Sequence, residues 1–459
     1  MAALDNAAAA SGAGGVASAG YRWYLASQVL SIVGTMMSYT ALFWLALHLR
    51  PGGAPALAAV DAAQCLPMLL FSRRAGIIVA RHRAARVAML TQALQAAGAL
   101  AIGFPLLAGR MSIWYLVPLC FVIGCVQCVD LPARQTFMFD LTGPGQLRRG
   151  SSLFATVTGL AKLAGPGVAG IIIAASGETA VFFINAASFL GVIAVLGRLS
   201  RQPVRTGAGA SGPTGASGPT GASGPTGASG PTGHAAPPDA EATAIRRFRW
   251  LLDLPREVQA AVAMALLVGG FGLQFSVTNP LMASRIFHLG SVGFGLFGTF
   301  IAVGGIAGNY YSSRRKDPGP LEFIGWSGVF GVAECLAAVM PVAWAYDVIM
   351  VALGAATQLF AVSATVYVQQ ATPAAQRGPA LAAYNAGFIG FVPAGAFVVA
   401  AIAATAGTRW ALVGPGLAVV VGAIALAARA RAAVPAEAAK ATEGAAPADA
   451  ATATPGPLP

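Results

Sequence analysis

The chain has 459 residues, of which 56% are hydrophobic and only 10% are charged, and its mean hydropathy is +0.70. Because soluble domains carry about 25% charged residues, this composition excludes a soluble globular protein and indicates an integral membrane protein in a lipid bilayer. The formal net charge of +12 does not indicate a nucleic-acid partner, because the basic residues fall at the ends of apolar runs, where they encode membrane topology.

Runs of about twenty apolar residues suit helices that cross a hydrocarbon core of about 30 Å. The sequence predicts twelve such helices, near 23–48, 54–79, 87–108, 113–138, 149–175, 179–199, 258–281, 290–313, 321–342, 345–371, 378–405 and 408–431. They divide into an N-terminal six-helix bundle, 21–200, and a C-terminal six-helix bundle, 257–431. Residues 1–20 and 432–459 are low-complexity stretches that we expect to be disordered tails.

The segment 201–256 is the longest connection, and it contains four copies of ASGPTG. Glycine recurs at every third position there, so a collagen-like structure is the alternative to a flexible linker. The repeat is short and lies between two membrane bundles, which favours a flexible cytoplasmic linker.

Basic residues are concentrated in alternate connections between the predicted helices. The connections after helices two, four, six and eight hold two or more arginines each, whereas the opposite set holds single residues such as Arg50 and Arg110. The positive-inside rule places the richer set in the cytoplasm. We therefore expect a multi-pass protein of a bacterial-type inner membrane with both termini in the cytoplasm.

The two halves of the chain contain an internal repeat. RGSSLFA at Arg149–Ala155 aligns with RGPALAA at Arg377–Ala383. In the neighbouring helices four and ten, Gly124 aligns with Gly354. Helices four and five thus recur as ten and eleven in the same orientation, which predicts parallel repeats related by an axis along the membrane normal.

Three motifs add a family resemblance. DLPARQ at Asp130–Gln135, GPGVAG at Gly165–Gly170 and FFINAASFL at Phe182–Leu190 are similar to motifs of the enterobactin-exporter-like branch of the major facilitator superfamily, also called transmembrane secretion effectors. The resemblance implies an all-α integral membrane fold of twelve transmembrane helices in two pseudo-symmetric six-helix bundles. It also implies secondary active transport.

The loop between helices two and three departs from the superfamily pattern. The usual aspartate is Ala80, and the second glycine is Arg83. In the family, that aspartate latches the two halves together on the cytoplasmic side. Its absence implies a weaker latch, a latch that uses another carboxylate such as Asp140, or a poorly active paralogue.

Asp130 and Arg134 are four residues apart, so they share one face of a helix and can form an ion pair. The predicted position is the cytoplasmic end of helix four, where the pair would act in gating together with Arg81 and Asp140. Direct contact with substrate is the alternative role of Arg134.

Lys162 lies well inside helix five, where a charge is expensive unless it is used or paired. It could bind an anionic substrate, or it could pair with Asp61 in helix two or Glu334 in helix nine. A proton-coupled transporter also needs a carboxylate that binds and releases a proton, and Asp61 and Glu334 are the candidates.

Uncharged polar residues in the apolar runs are further candidates for a substrate cavity: Gln28, Gln127, Gln274 and Asn385. Glycines and prolines in helices five and eleven are candidate hinges, because proline removes a backbone hydrogen bond and small residues let helices approach closely. These are Gly165, Pro166, Gly167, Pro393 and Gly395.

The favoured function is proton-driven export of a small amphipathic molecule, such as a siderophore or a drug-like compound, by a monomer. An importer, or a non-transporting membrane sensor or scaffold with the same fold, is the alternative. No catalytic motif and no P-loop appear in the sequence, so we expect neither an enzyme nor an ATP-driven pump. The scattered histidines and cysteines predict no metal site and no cofactor.

Overall fold

Helices make up most of the chain that the computed structural model describes, namely residues 19–142, 147–200, 256–315, 319–373 and 376–443. The first four helices are α1 Ala19–His48, α2 Ala54–Arg81, α3 Ala84–Leu107 and α4 Ile113–Thr142. The next helical stretch, Leu147–Ser200, is interrupted at Gly177, where φ is 77° and ψ is 172°. It therefore forms two helices, α5 (147–176) and α6 (178–200).

The interruption at Gly177 is required by the thickness of a bilayer. The apolar part of this stretch, Leu153–Leu199, has 47 residues. At 1.5 Å per residue a single helix of that length would measure about 70 Å, more than twice a hydrocarbon core of about 30 Å. Glycine adopts a positive φ without the steric cost that other residues meet, so the chain turns here and crosses again.

The second half of the chain contains six further helices. The first, α7, is assembled from Arg256–Leu267, a π-helical turn Val268–Gly272, Phe275–Leu281 and a second π-helical turn Met282–Ile286. The others are α8 Gly290–Ser313, α9 Pro320–Val339, α10 Ala343–Ala371, α11 with its segments Arg377–Gly390 and Val392–Thr405, and α12 Trp410–Glu443.

The predicted all-α fold with twelve apolar helices is confirmed. The largest extensions beyond the predicted ends are those of α7, which continues to Ile286, and α12, which continues to Glu443. The extension of α12 covers the start of the tail predicted from residue 432, because this stretch is rich in alanine, glutamate and lysine, which favour helix. The remainder of that tail, nearly all of the predicted N-terminal tail and the linker with its ASGPTG repeats lie outside the described residues.

Glycines bring equivalent helix pairs together in the two halves. A Cβ atom on Gly354 of α10 would lie 2.0 Å from the carbonyl oxygen of Ile301 in α8. A Cβ on Gly124 of α4 would lie 2.7 Å from the carbonyl oxygen of Gln64 in α2. The two glycines that the internal repeat aligns therefore occupy corresponding helix contacts, as close packing in membranes favours.

Candidate functional site

The two halves contact each other toward one end of the bundle. We call the end that carries the connections after α2, α4, α8 and α10 the basic end, and the other the opposite end. At the opposite end, the ring of Trp44 in α1 stacks on Phe294 in α8 with centroids 6.0 Å apart. Nearby, the Ser291 hydroxyl donates to the Gly170 carbonyl oxygen at 3.1 Å, so the last turns of α1 and α5 are fixed to the first turns of α8.

Helices α5 and α8 remain in contact as far as the middle of the membrane. The Thr299 hydroxyl donates to the carbonyl oxygen of Leu163 at 3.3 Å. A Cβ on Gly295 would lie 2.4 Å from the carbonyl oxygen of Pro166, so the backbones touch directly. This contact between halves depends on small residues and would have to separate if the opposite end opened.

Asp61 lies at this interface. It is buried in α2, with 4% of its surface exposed, and its carboxylate lies close to the side chain of Ser276 in α7. Its Oδ2 atom has no hydrogen-bond partner among the described residues. The carboxylate thus links the N-terminal half to the C-terminal half while part of it remains available for a proton.

Asp130 and Arg134 form the ion pair that their spacing predicts. Arg134 Nε lies 2.7 Å from Asp130 Oδ2. The same aspartate accepts hydrogen bonds from Thr91 Oγ1 at 2.6 Å and from Gln92 Nε2 at 3.0 Å. Arg134 Nη1 in turn donates to Gln28 Oε1 at 3.0 Å. This polar network therefore joins α1, α3 and α4 within the N-terminal half.

The position of the pair differs from the predicted one. Asp130 is only 1% exposed, and α4 continues to Thr142, so the aspartate lies about three turns inside the helix rather than at its end. Arg81 is exposed at the end of α2 and has no ion pair within the described part of the chain. The side chain of Asp140 lies outside the described residues, so a latch between these two stays a prediction.

Lys162 lies near the middle of α5 and is half-buried. It forms neither of the ion pairs considered for it, because the described residues contain no Lys162 contact with Asp61 or Glu334. It is instead close enough to Arg134 for the two cations to repel each other. The structure thus brings two predicted site residues together on the N-terminal half.

Gln127 belongs to the interior of the N-terminal half rather than to the space between the halves. It accepts a hydrogen bond from the Tyr39 hydroxyl at 2.6 Å. Both residues line a cavity of about 50 Å³ between the helices of this half. Ser38, Gln64 and Gln95 line the same cavity, and each has a buried polar atom without a partner in the described protein. A polar cavity of this size has room for ordered water.

In the C-terminal half, the predicted polar residues have separate environments. Glu334 is 1% exposed in α9, and its Oε2 has no partner among the described residues. It lies near Tyr346 of α10, inside this half and away from the interface at Asp61. Asn385 is half-buried in α11, and no hydrogen bond to a described residue satisfies its side chain.

The predicted hinges in α5 and α11 behave differently. Helix α5 passes through Pro166 without an interruption, so no break marks this candidate hinge. Helix α11 is interrupted at Phe391, directly before the segment that begins with Val392 and Pro393. A proline within the first turn of a helix needs no hydrogen-bond donor, which explains why Pro393 begins a segment.

Helix α7 contains the irregularity that the sequence did not predict. Its π-helical turn directs the Leu273 amide to the carbonyl oxygen of Val268, which leaves other carbonyls without their usual partners. Gln274 supplies the missing donor, because its Nε2 reaches the Gly270 oxygen at 2.8 Å and the Val392 oxygen at 3.1 Å. Gln274 therefore ties the irregular part of α7 to the break in α11, a structural role in place of the predicted cavity role.

Three polar partners were absent from the predicted site: Thr91, Gln92 and Ser276. Two consecutive polar residues in an apolar helix signal a buried hydrogen-bonding group, and this signal is visible at positions 91 and 92. Nothing in the sequence distinguishes Ser276 from the other hydroxyl residues of the apolar helices.

Comparisons with known proteins agree with this architecture. Residues 11–209 match the family described as transmembrane secretion effector. The multidrug efflux pump Tap of Mycobacterium tuberculosis is 29% identical over 181 residues, which cover 37% of this chain and 42% of Tap. YfiS of Bacillus subtilis, described as an uncharacterized transporter of the major facilitator type, is 25% identical over 181 residues, 39% of this chain and 42% of YfiS. The match spans less than half of the length of either relative.

Solved structures share the fold along most of the chain. A peptide transporter of the POT family in complex with sulfate has a TM-score of 0.66 at 13% identity, covering 90% of this chain and 94% of that one. A mutant of the nucleoside transporter NupG has a TM-score of 0.63 at 13% identity, covering 88% and 99%. Residues 11–209 are therefore similar to the transmembrane secretion effector family, and the described chain shares the fold of these solved transporters.

Proposed function

We propose that this protein is a secondary active transporter that exports a small amphipathic molecule, of siderophore or drug-like type, in exchange for protons. The observation that carries the proposal is a buried carboxylate at the contact between the two halves, because Asp61 is 4% exposed and lies close to Ser276 of α7 where the halves meet. The similarity to Tap, which is described as an efflux pump, favours export.

In alternating access, the contacts at the opposite end break when contacts at the basic end form. They form again when the contacts at the basic end break. With the basic end in the cytoplasm, the arrangement described above is the state closed toward the outside. A hydrogen bond to an ionised carboxylate is roughly twice as strong as one between neutral groups. Protonation of Asp61 therefore weakens its interaction with Ser276, which couples proton binding to the contact between the halves.

The transport proposal is tested by deleting the gene and comparing intracellular small molecules with those of a complemented strain. An exporter deletion raises the level of the transported compound inside the cell, and complementation restores it. An importer deletion lowers that level. A sensor or scaffold changes gene expression while transport of every compound stays the same, and that result would remove the proposal.

Replacing Asp61 with asparagine should uncouple transport from the proton gradient. Asparagine has nearly the same shape and keeps an oxygen that can accept a hydrogen bond from Ser276, but it cannot take up a proton. We expect efflux of the compound identified by the deletion to be insensitive to a protonophore in the Asp61→Asn variant and strongly reduced by it in the wild type.

Glu334→Gln is the matched control, because Glu334 is equally buried but lies inside the C-terminal half. We expect this variant to respond to the protonophore as the wild type does. If Glu334→Gln is the uncoupled variant and Asp61→Asn behaves normally, proton coupling belongs to Glu334 and the role assigned to Asp61 is wrong.

A further inference from the structure

A surface groove of the C-terminal half contains a carboxylate that the proposed transport mechanism does not use. The groove lies between α8 and α10, and apart from Asp347 its walls are apolar: Phe300, Trp344, Val348, Val351, Ala352 and Ala355. Trp344 is 71% exposed and Val348 is 61% exposed. Both lie near the start of α10, at the opposite end, where the two halves are in contact. The groove is therefore open to the lipid around the protein rather than to the space between the halves.

Asp347 is not satisfied by the described part of the chain. Its Oδ1 atom is buried and has no hydrogen-bond partner there. Neither of the two ion pairs formed by described residues includes this carboxylate, and the side chains that line the groove supply no cation. Because a charge that faces hydrocarbon is costly unless it is paired or used, the groove is suited to a cation from outside the described chain.

The internal repeat indicates that the fold itself does not require a carboxylate at this position. In the register of the repeat, Trp114 aligns with Trp344 and Val117 aligns with Asp347. Trp114 is 79% exposed, so each half has an exposed tryptophan at this level, as is typical of the layer of lipid headgroups. Only the C-terminal half adds a carboxylate one turn further along the helix.

The depth of Asp347 fits a lipid headgroup with an acyl chain below it. Helix α10 begins at Ala343, so Asp347 lies about 6 Å inside that end at a rise of about 1.5 Å per residue. The apolar wall continues from Asp347 to Ala355, which is about 12 Å further toward the middle of the membrane. A headgroup held at the carboxylate would therefore direct its acyl chain along the groove.

We propose that this groove binds phosphatidylethanolamine, a phospholipid with a primary amine headgroup, from the leaflet at the opposite end. The ammonium donates charge-assisted hydrogen bonds to Asp347, and one acyl chain lies along Val348, Val351 and Ala355. The carboxylate selects this headgroup because a primary ammonium has three donors, whereas the quaternary ammonium of phosphatidylcholine has none. The site lies outside the proposed transport pathway and does not depend on the direction of transport.

The test is native mass spectrometry of the purified full-length protein in detergent with equal amounts of dioleoyl phosphatidylethanolamine and dioleoyl phosphatidylcholine. In the wild type, the ethanolamine lipid should be bound roughly tenfold or more in preference to the choline lipid, the range expected for hydrogen bonds to a charged group. Asp347→Asn keeps the size of the side chain and removes its charge. Its preference should fall to roughly threefold or less, because a hydrogen bond to a neutral oxygen is about half as strong.

Glu178→Gln is the matched control, because Glu178 begins α6 at the same end of the bundle but does not line the groove. This variant should keep the wild-type preference. Ala352→Phe tests the acyl-chain wall, since Ala352 is exposed and a larger side chain there fills the groove without entering the core. It should reduce binding of the ethanolamine lipid severalfold while Asp347 is intact.

Three results would overturn the inference. The first is equal binding of the two lipids by the wild type. The second is a preference that Asp347→Asn leaves unchanged, or that Glu178→Gln lowers to the same extent. The third is a dimer that Ala352→Phe dissociates, because the groove would then be covered by a second copy of the chain rather than by lipid.

Discussion

Replacing Asp130 with alanine should abolish most transport and reduce the free energy of unfolding by about 3 kcal/mol, the lower part of the range for breaking a buried ion pair. The lower part applies because the Arg134 side chain is 17% exposed and water can partly replace the lost carboxylate. The loss also leaves the donors of Thr91 and Gln92 without their acceptor. Thermal unfolding in detergent, together with efflux at equal protein levels, measures both effects.

A double-mutant cycle measures the interaction energy between Asp130 and Arg134 apart from their other hydrogen bonds. Arg134→Ala leaves Asp130 with two hydrogen-bond donors, so we expect it to lower stability less than Asp130→Ala does. The double variant should be more stable than the sum of the single losses indicates, by about 0.5–3 kcal/mol for groups in contact. Strict additivity would show that the two side chains do not act as a unit, whatever their distance.

The ion pair also shows which parts of a membrane protein can be inferred from sequence. The pairing of Asp130 with Arg134 followed from their four-residue spacing, because that geometry is local to one helix. The hydrogen bonds that connect the pair to α1 and α3 could not be inferred, because they depend on which helix faces pack together across about 40 to 100 residues of sequence. The burial of the pair was missed for a related reason, since it depended on where α4 ends.

Two prolines of the internal repeat have different effects on their helices. Pro166 and Pro393 align in the internal repeat, yet only α11 is interrupted, at Phe391. A proline in a membrane helix removes one hydrogen bond, and whether the helix breaks depends on donors from its neighbours. In α11 the break at Phe391 lies beside Gln274 of α7, whose side chain donates to the Val392 oxygen. The sequence reveals the weakened position but not whether the helix breaks there.

Asp61 and its neighbour Ser276 show how much of the candidate site could be predicted from the sequence. Its apolar surroundings in α2 made it a candidate for proton binding, because an acid in such a segment is expensive unless it has a function. Its neighbour Ser276 belongs to the other half, and no pattern in either helix specifies how the halves are placed against each other. The type of residue was therefore predictable, whereas its position at the contact between halves was not.

Gly395→Ala should prevent the C-terminal half from packing. A Cβ on Gly395 would lie 1.3 Å from the carbonyl oxygen of Gly270 and 2.9 Å from Gln274 Nε2. No rotation of a side chain relieves the first contact, because both atoms are fixed by backbone. Overpacking a core costs typically 1–3 kcal/mol and occasionally more, and we expect a backbone clash of this size to lie at or above the upper end.

Gly378→Ala tests whether the effect belongs to the contact rather than to α11 as a helix. Gly378 lies in the same helix, but a Cβ there meets nothing within 4 Å, so alanine should be neutral or slightly stabilising because it favours helix. The measurement is the yield of monodisperse protein after detergent extraction, followed by thermal unfolding. If Gly395→Ala were extracted and unfolded like Gly378→Ala, α7 and α11 could not be in backbone contact at Gly270. The bridge from Gln274 to both helices would then lose its geometric basis, because that bridge requires the same close approach.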